Sequence, residues 1–210
     1  RLVAMLARCG SPKAVLSTYP LPYEGAAAAA RVSTEERLTL LCTRPADAAF
    51  DADGMLRFRA RLLAAPPCAP VPTAFWAAGF SFARGHFVAR VPYDCCLPFV
   101  FQGEEVSMGL RGWTHGYDFY APYHSVVFHE YAESSERRRP VAQFWENRVG
   151  SEALAEDAMR RLTALAGLDP APSPPGSFND ALASRYGLGR ARNASLYFKL
   201  FLIDRERRHA

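Results

Sequence analysis

Apolar residues along the chain fall into short runs cut by prolines and glycines, with a clear helical period in only a few places. The opening LVAMLARC has helical spacing and stops at Gly10, Ser11 and Pro12, because glycine and proline halt a helix. KAVLSTYP (13–20) is short, apolar and bounded by proline, which predicts a strand buried on at least one face. Ala26 to Ala30 suits a loop or a short helix. LTLLCT (38–43) and MLRFRA (55–60) predict two strands joined across an Asp/Gly turn, Asp51 to Gly54. Alternation of Leu56, Phe58 and Ala60 with Arg57 and Arg59 predicts one solvated face. After the connector APPCAPVP, FWAAGFSF (75–82) predicts an apolar strand carrying Gly79, a residue expected where another backbone or a ligand comes close.

The pattern changes beyond residue 100. Residues 104–112 predict a helix, and YDFYAP and SVVFHEY predict strands after it. SEALAEDAMRRLTALAG (151–167) is the clearest helix. Ser151 is placed to cap it, and Leu154, Ala158, Leu162 and Leu165 share one face. Glu156 with Arg160 and Asp157 with Arg161 stand at i,i+4, and Gly167 ends the run. DPAPSPPG reads as linker, followed by a short helix near 178–186, the turn YGLG and a last helix near 193–203. Strands mixed with helices predict an α/β layer structure, a mixed sheet flanked by helices, over residues 1–168. A Pro-rich linker over 169–177 then leads to a small helical C-terminal extension over 178–210.

With 210 residues, half of them hydrophobic, the chain can bury a sizeable core. A net charge of +4 is too mild to imply nucleic acid. The basic residues cluster at Arg137 to Arg139 and at Arg205, Arg207 and Arg208, as a solvated loop and tail would, so no nucleic-acid partner is expected. The five cysteines, Cys9, Cys42, Cys68, Cys95 and Cys96, form no CxxC pair and no even framework, which fits a reducing compartment and a cytoplasmic location. Asn193-Ala194-Ser195 spells a glycosylation sequon inside a stretch that reads as helical. No signal peptide and no membrane-length apolar run is present. Arg1 is not an initiator methionine, so the chain is expected to be a piece of a longer protein, one in which a Golgi membrane anchor is possible.

The stretch FQGEEVSMGLRGWTHGYDFYAP (101–122) concentrates the candidate chemistry. On a helix Glu104 and Glu105 lie about 100° apart, so at most one points squarely into a site. Acids at a helix N-terminus are also favoured simply by the dipole. Arg111, Trp113, His115 and Asp118 add a cation, an aromatic face and hydrogen-bonding groups of a kind that suits a carbohydrate or another polar ligand. His129, at the end of an apolar strand, is a core histidine or a metal ligand. His86, His124 and His209 lack such context. The vicinal Cys95 and Cys96 read as buried sulfur. No GxSxG, HExxH, P-loop or GxGxxG motif is present.

KAVLSTYP, FWAAGFSFARGHFVARVPYD, LPFVFQGEEVSMGLRGWTHGYDFYAP, VVFHEY, FWE and, toward the end, YGLGRAR with LFLID are the residues that carry a family likeness. Together they resemble the GT-A-type N-acetylglucosaminyltransferases whose best-known members add GlcNAc to hydroxyproline on a cytosolic ubiquitin-ligase subunit. The resemblance implies a GT-A-like fold, incomplete at the N-terminus, and retaining transfer from a UDP-GlcNAc donor to a protein acceptor with Mn²⁺ or Mg²⁺. By analogy with the mucin-type GalNAc transferases, Ala78, Gly79 and Phe80 would line the sugar pocket. Glu104 and Glu105 would address the sugar or the acceptor, and His129 would bind metal.

The resemblance also implies an acidic Asp-x-Asp-like motif upstream, and residues 1–74 hold no convincing equivalent. Asp51-Ala52-Asp53 has the spelling but reads as a turn between strands. The isolated 210 residues are therefore expected to bind UDP-GlcNAc poorly and to be inactive. The competing reading is a non-catalytic carbohydrate-binding or interaction module with a degenerate GT-A-like shell. A weaker one is a nucleic-acid-associated protein using the arginine clusters.

Overall fold

The computed structural model describes residues 1–32, 37–43, 50–51, 54–64, 69–131, 144, 150–169 and 173–207. In chain order its elements are α1 (Leu2–Arg8), β1 (Ala14–Ser17), β2 (Leu21–Pro22), α2 (Ala26–Val32), β3 (Arg37–Thr43), β4 (Phe58–Ala64), β5 (Val71–Thr73) and β6 (Ser81–Ala83). There follow α3 (His86–Arg90), α4 (Glu104–Thr114), β7 (Asp118–Ala121), β8 (Phe128–His129), α5 (Glu152–Ala166), α6 (Ala183–Tyr186) and α7 (Ala194–Leu200).

β1 is apolar but for Ser17 and takes a central place, with every one of its residues buried. The main sheet has the order β5-β7-β1-β6, with β1 parallel to β7 and antiparallel to β6, and β5 antiparallel to β7. It is the mixed sheet that the strand pattern predicts. β3 and β4 form a separate antiparallel ribbon, and β2 and β8 a short parallel pair. The Asp/Gly turn is present: Gly54 N–H donates to the Asp51 carbonyl (3.0 Å) and Met55 N–H to Asp51 Oδ1 (2.8 Å). Asp51 also pairs with Arg57, so this carboxylate is committed to the turn, while Ala52 and Asp53 lie outside the described residues.

Helix α4 runs through the middle of the fold, and every residue from Val106 to Gly112 is buried. The largest apolar cluster joins Leu41, Met55, Leu56, Phe75, Val106 and Leu110 to Leu162 and Ala166 of α5 and to Tyr197, Phe198 and Ile203 at the C-terminal end. Tyr197 Oη donates to the Ala74 carbonyl (2.9 Å), so α7 shares the core of the preceding residues.

Several elements differ from the sequence reading. Residues 75–80 are not strand, and β6 begins only at Ser81. Ala77 N–H donates to Ser17 Oγ (2.7 Å), Ser17 Oγ donates to the Phe80 carbonyl (3.1 Å), and Thr18 N–H reaches the same carbonyl (3.2 Å). These bonds replace a ladder with a turn folded round the end of β1. SVVFHEY contributes only two strand residues, and the helix near 178–186 shortens to α6. The buried face of α5 is Ala155, Ala158, Leu162 and Ala166, with Leu154 52% exposed. Arg161, 0% exposed, sets that rotation by forking onto Asp94 (Nε to Oδ2 2.9 Å, Nη2 to Oδ1 3.2 Å) instead of pairing with Asp157. Asp157 pairs with Arg160 at i,i+3.

Candidate functional site

Gly103 places the two glutamates. Its φ of +106° is open to glycine, and a Cβ there would lie 2.9 Å from the Met55 methyl, so the chain turns sharply into α4 with Glu104 and Glu105 in its first turn. Their divergence on the helix separates their tasks. Glu105 accepts from the Ala78 N–H at Oε1 (2.7 Å) and from the Tyr19 hydroxyl at Oε2. Its carboxyl is raised above the ordinary range by burial, which these two hydrogen bonds only partly offset. It stitches the end of β1 to the 77–80 turn.

Glu104 has no such partners. Its Oε2 is buried and accepts no hydrogen bond among the described residues. Burial first, and then the neighbouring Glu105 charge, push its carboxyl up to about 7 against a hydrogen bond from its own backbone N–H and the pull of Arg57. Desolvation here outweighs the helix dipole, whose share is about 0.3–1 kcal/mol at an exposed N-terminus.

The two carboxylates line a cavity of 350 Å³ together with Tyr19, Arg57, Phe58, Ala78, Phe101 and Gln102. Tyr19 and Phe58 stack with centroids 5.9 Å apart, and Phe58 stacks on Phe75 at 4.7 Å, giving the cavity an aromatic side. A second groove of 680 Å³ shares Arg57, Phe101 and Gln102 with it and runs along Ala155, Met159 and Thr163 of α5.

The remaining sequence candidates divide between this region and the opposite end of α4. Ala78 is at the cavity through its backbone N–H. Gly79 is next to it, and a Cβ there would come within 2.6 Å of Pro20 Cδ, so the close approach is made by Pro20. Phe80 turns away and packs with the cluster of Met5, Leu6 and Leu16. His129 is exposed, not a core residue, and its ring lies 4.4 Å from that of Tyr131. The Tyr131 hydroxyl donates to the carbonyl of Pro20 (3.0 Å), the residue after the Tyr19 that holds Glu105, which places His129 on the Glu105 side of the fold.

Arg111 is buried and lines a different cavity. Trp113 packs edge-on against Tyr197 and Phe201 while the Arg192 guanidinium lies 4.4 Å over its ring, so its faces are in use. Asp118 pairs with Arg192 (2.8 Å) and accepts from Ser11 Oγ (3.3 Å). The His115 carbonyl accepts from Lys13 Nζ (2.9 Å), and burial with the nearby Arg111, Lys13 and Arg90 charges lowers its imidazole. Asp118, through Arg192, and Trp113, through Arg192, Tyr197 and Phe201, anchor the C-terminal segment at the far end of α4. Arg205 is half-buried, lying 4.5 Å over Phe198, while Arg207 is exposed as a solvated tail would have it. Arg137 to Arg139 lie outside the described residues.

Sequence reasoning missed Tyr19, Arg57, Phe58 and Phe101. The signal for Tyr19 was its place just past the carboxyl end of a central strand, where open α/β sheets gather ligands. Among the described residues, the one group of three metal-ligating side chains is Asp94, Cys95 and Cys96, and His129 is not in it. Cys95 is exposed rather than buried, and the Asp94 oxygens are engaged by Arg161 and the Cys96 N–H.

The family model described as Glycosyltransferase (GlcNAc) matches residues 1–207. The chain belongs to this GlcNAc glycosyltransferase family. No curated protein and no solved structure matches it. Membership brings a sugar donor and an acceptor, and the cavity at the start of α4 is where half-buried carboxylates and stacked aromatics converge on open space. No helix among the described residues is long and apolar enough to cross a membrane.

Proposed function

We propose that the protein transfers GlcNAc from UDP-GlcNAc to a protein acceptor, hydroxyproline being the acceptor the resemblance implies, with retention and with help from Mn²⁺ or Mg²⁺ on a GT-A-like scaffold. The observation that carries this reading is Glu104: a buried carboxylate oxygen without a partner, in a 350 Å³ cavity walled by Tyr19, Phe58 and Arg57. A sugar hydroxyl donating to that oxygen would satisfy it, and the aromatic side would cover an apolar sugar face. Once ionised, Glu104 also faces the positive charge that develops at the anomeric carbon as the diphosphate leaves.

Glu105 acts by position, holding the Ala78 N–H and the Tyr19 hydroxyl so that the cavity keeps its shape. The adjoining groove, continuous through Arg57, Phe101 and Gln102, suits an extended acceptor chain whose hydroxyl must arrive on the same face as the leaving group in a retaining transfer. His129, exposed on the same side, fits as one metal ligand. A bound divalent cation would neutralise charge on the leaving diphosphate. Among the described residues His129 is in no group of three metal-ligating side chains.

The test is transfer of radiolabelled GlcNAc from UDP-GlcNAc to paired hydroxyproline and proline peptides by the protein carrying this chain. Manganese-dependent labelling of the hydroxyproline peptide, abolished by Glu104→Ala and weakened by His129→Ala, is expected. Saturable UDP-GlcNAc binding without transfer to either peptide or to water would overturn it and leave a binding module.

A further inference from the structure

Between α4 and the loop that precedes it lies a second cavity, of 170 Å³, lined by Tyr93, Asp94, Leu97, Val100, Ser107 and Met108, with Glu104 on one side and Arg111 on the other. That is room for about five water molecules. Arg111 is 2% exposed, and both its Nε and its Nη2, the adjacent pair that forks onto a carboxylate or phosphate, are buried with no hydrogen-bond partner among the described residues. Its Nη1 reaches the Met108 sulfur (3.6 Å), and its guanidinium lies 5.9 Å over the Tyr186 ring, neither of which supplies a counter-charge. The nearest carboxylate that could serve, Asp94, is already forked by Arg161 and capped by the Cys96 N–H.

Three arginines therefore act at this place, Arg111, Arg161 and Arg185, against Asp94 and a Glu104 whose own charge is suppressed by burial. A guanidinium buried without a counter-charge costs several kcal/mol, and an unpaired donor pair in a polar cavity is the arrangement that an anion relieves. Burial, with Arg185 and Arg161 adding to it, lowers the Arg111 guanidinium to about 10 while Asp94 and Tyr186 pull it the other way. A bound anion would act in the same sense as Asp94. Water alone would satisfy the two N–H groups but leave the charge.

We propose that this cavity binds a small oxyanion, a carboxylate or phosphate group, through the Nε/Nη2 edge of Arg111. Tyr93, 60% exposed, marks the side from which it enters. The site is separate from the sugar cavity but shares Glu104 as a wall, so an occupying anion lies close to the carboxyl assigned to the sugar.

The inference stands apart from the transfer reading and is tested without it. Thermal melts of the protein in EDTA, at fixed pH and ionic strength, would compare chloride with increasing inorganic phosphate or acetate. A saturable rise in Tm with at least one of the two oxyanions is expected, and which of them acts tells phosphate from carboxylate as the natural occupant. Arg111→Met, which keeps the volume and removes the charge, should fold and lose the response. Arg111→Lys, a point charge without the fork, should weaken the apparent affinity by about tenfold. No saturable response to either anion, the result if the cavity holds water only, would overturn the proposal. A response in Arg111→Met or Arg111→Lys equal to that of the wild type would do the same, because the anion would then sit elsewhere, for instance in the sugar cavity.

Discussion

Replacing Glu104 by Gln removes a carboxyl held far from its ordinary titration while keeping its size. The group is raised from 4.5 to about 7, chiefly by burial. Below pH 4.5 the folded and unfolded chains are both protonated at this position, and the substitution changes little. As pH rises from 4.5 toward 7 the unfolded chain ionises first, so the folded wild type loses stability, and above about 7 the loss is complete. At about 1.4 kcal/mol per pH unit the interval corresponds to roughly 3 kcal/mol, and solvent screening of this half-buried group reduces it to about 2 kcal/mol. Glu105 and Arg57, the charges that act on Glu104, are present in both proteins, so the difference between them isolates the one carboxyl. Urea denaturation followed by circular dichroism at pH 4.5, 6 and 8 would read it. Glu104→Gln should match the wild type at the lowest pH and exceed it by about 2 kcal/mol at pH 8, or by about 4–8 °C in Tm for a chain of this size. Parallel pH profiles for the two proteins would show that Glu104 is hydrated and would remove the basis for assigning it to a sugar hydroxyl.

Gly79→Ala drives a Cβ to 2.6 Å from Pro20 Cδ, so a loss of about 1–3 kcal/mol in chemical denaturation is expected, and wild-type stability would show that the 77–80 turn yields freely. Asp94→Asn leaves the fully buried Arg161 without its counter-charge and should cost about 3–5 kcal/mol, with Asp94→Leu/Arg161→Met recovering most of it; an additive double variant would contradict a coupled pair. Trp113→Ala should cost about 3 kcal/mol through lost packing on Tyr197 and Phe201 yet leave UDP-GlcNAc affinity unchanged in calorimetry, whereas an affinity loss matching that of Glu104→Ala would put Trp113 at the sugar. If the Glu104 carboxylate is the working form, kcat/KM for transfer should rise through an acid limb near pH 7 that disappears in Glu104→Gln.

Much of the fold was legible because it rests on local physics. α1 and α5 follow from apolar spacing and from Gly10 and Gly167, which close them, and β1 from a short, largely apolar run between prolines. FWAAGFSF misled because an apolar stretch can be buried as a turn when another strand's side chain replaces its ladder, and here Ser17 Oγ does so. The buried face of α5 misled because a single arginine, once paired with Asp94, was taken into the core.

The grouping of site residues shows the same division. The sequence by itself determined that two acids and an arginine would ride on one helix over 104–112, since that follows from spacing. Only the tertiary structure decided which of them share a space. A helix of eleven residues is about 16 Å long, so Glu104 and Trp113 stand at opposite ends of it and meet different partners. Tyr19 and Phe58, distant in sequence, complete the cavity at Glu104, while Tyr197 and Arg192 occupy Trp113. Proximity across the chain is set by how the sheet and helices pack, and that packing also determined which charges were left without a partner.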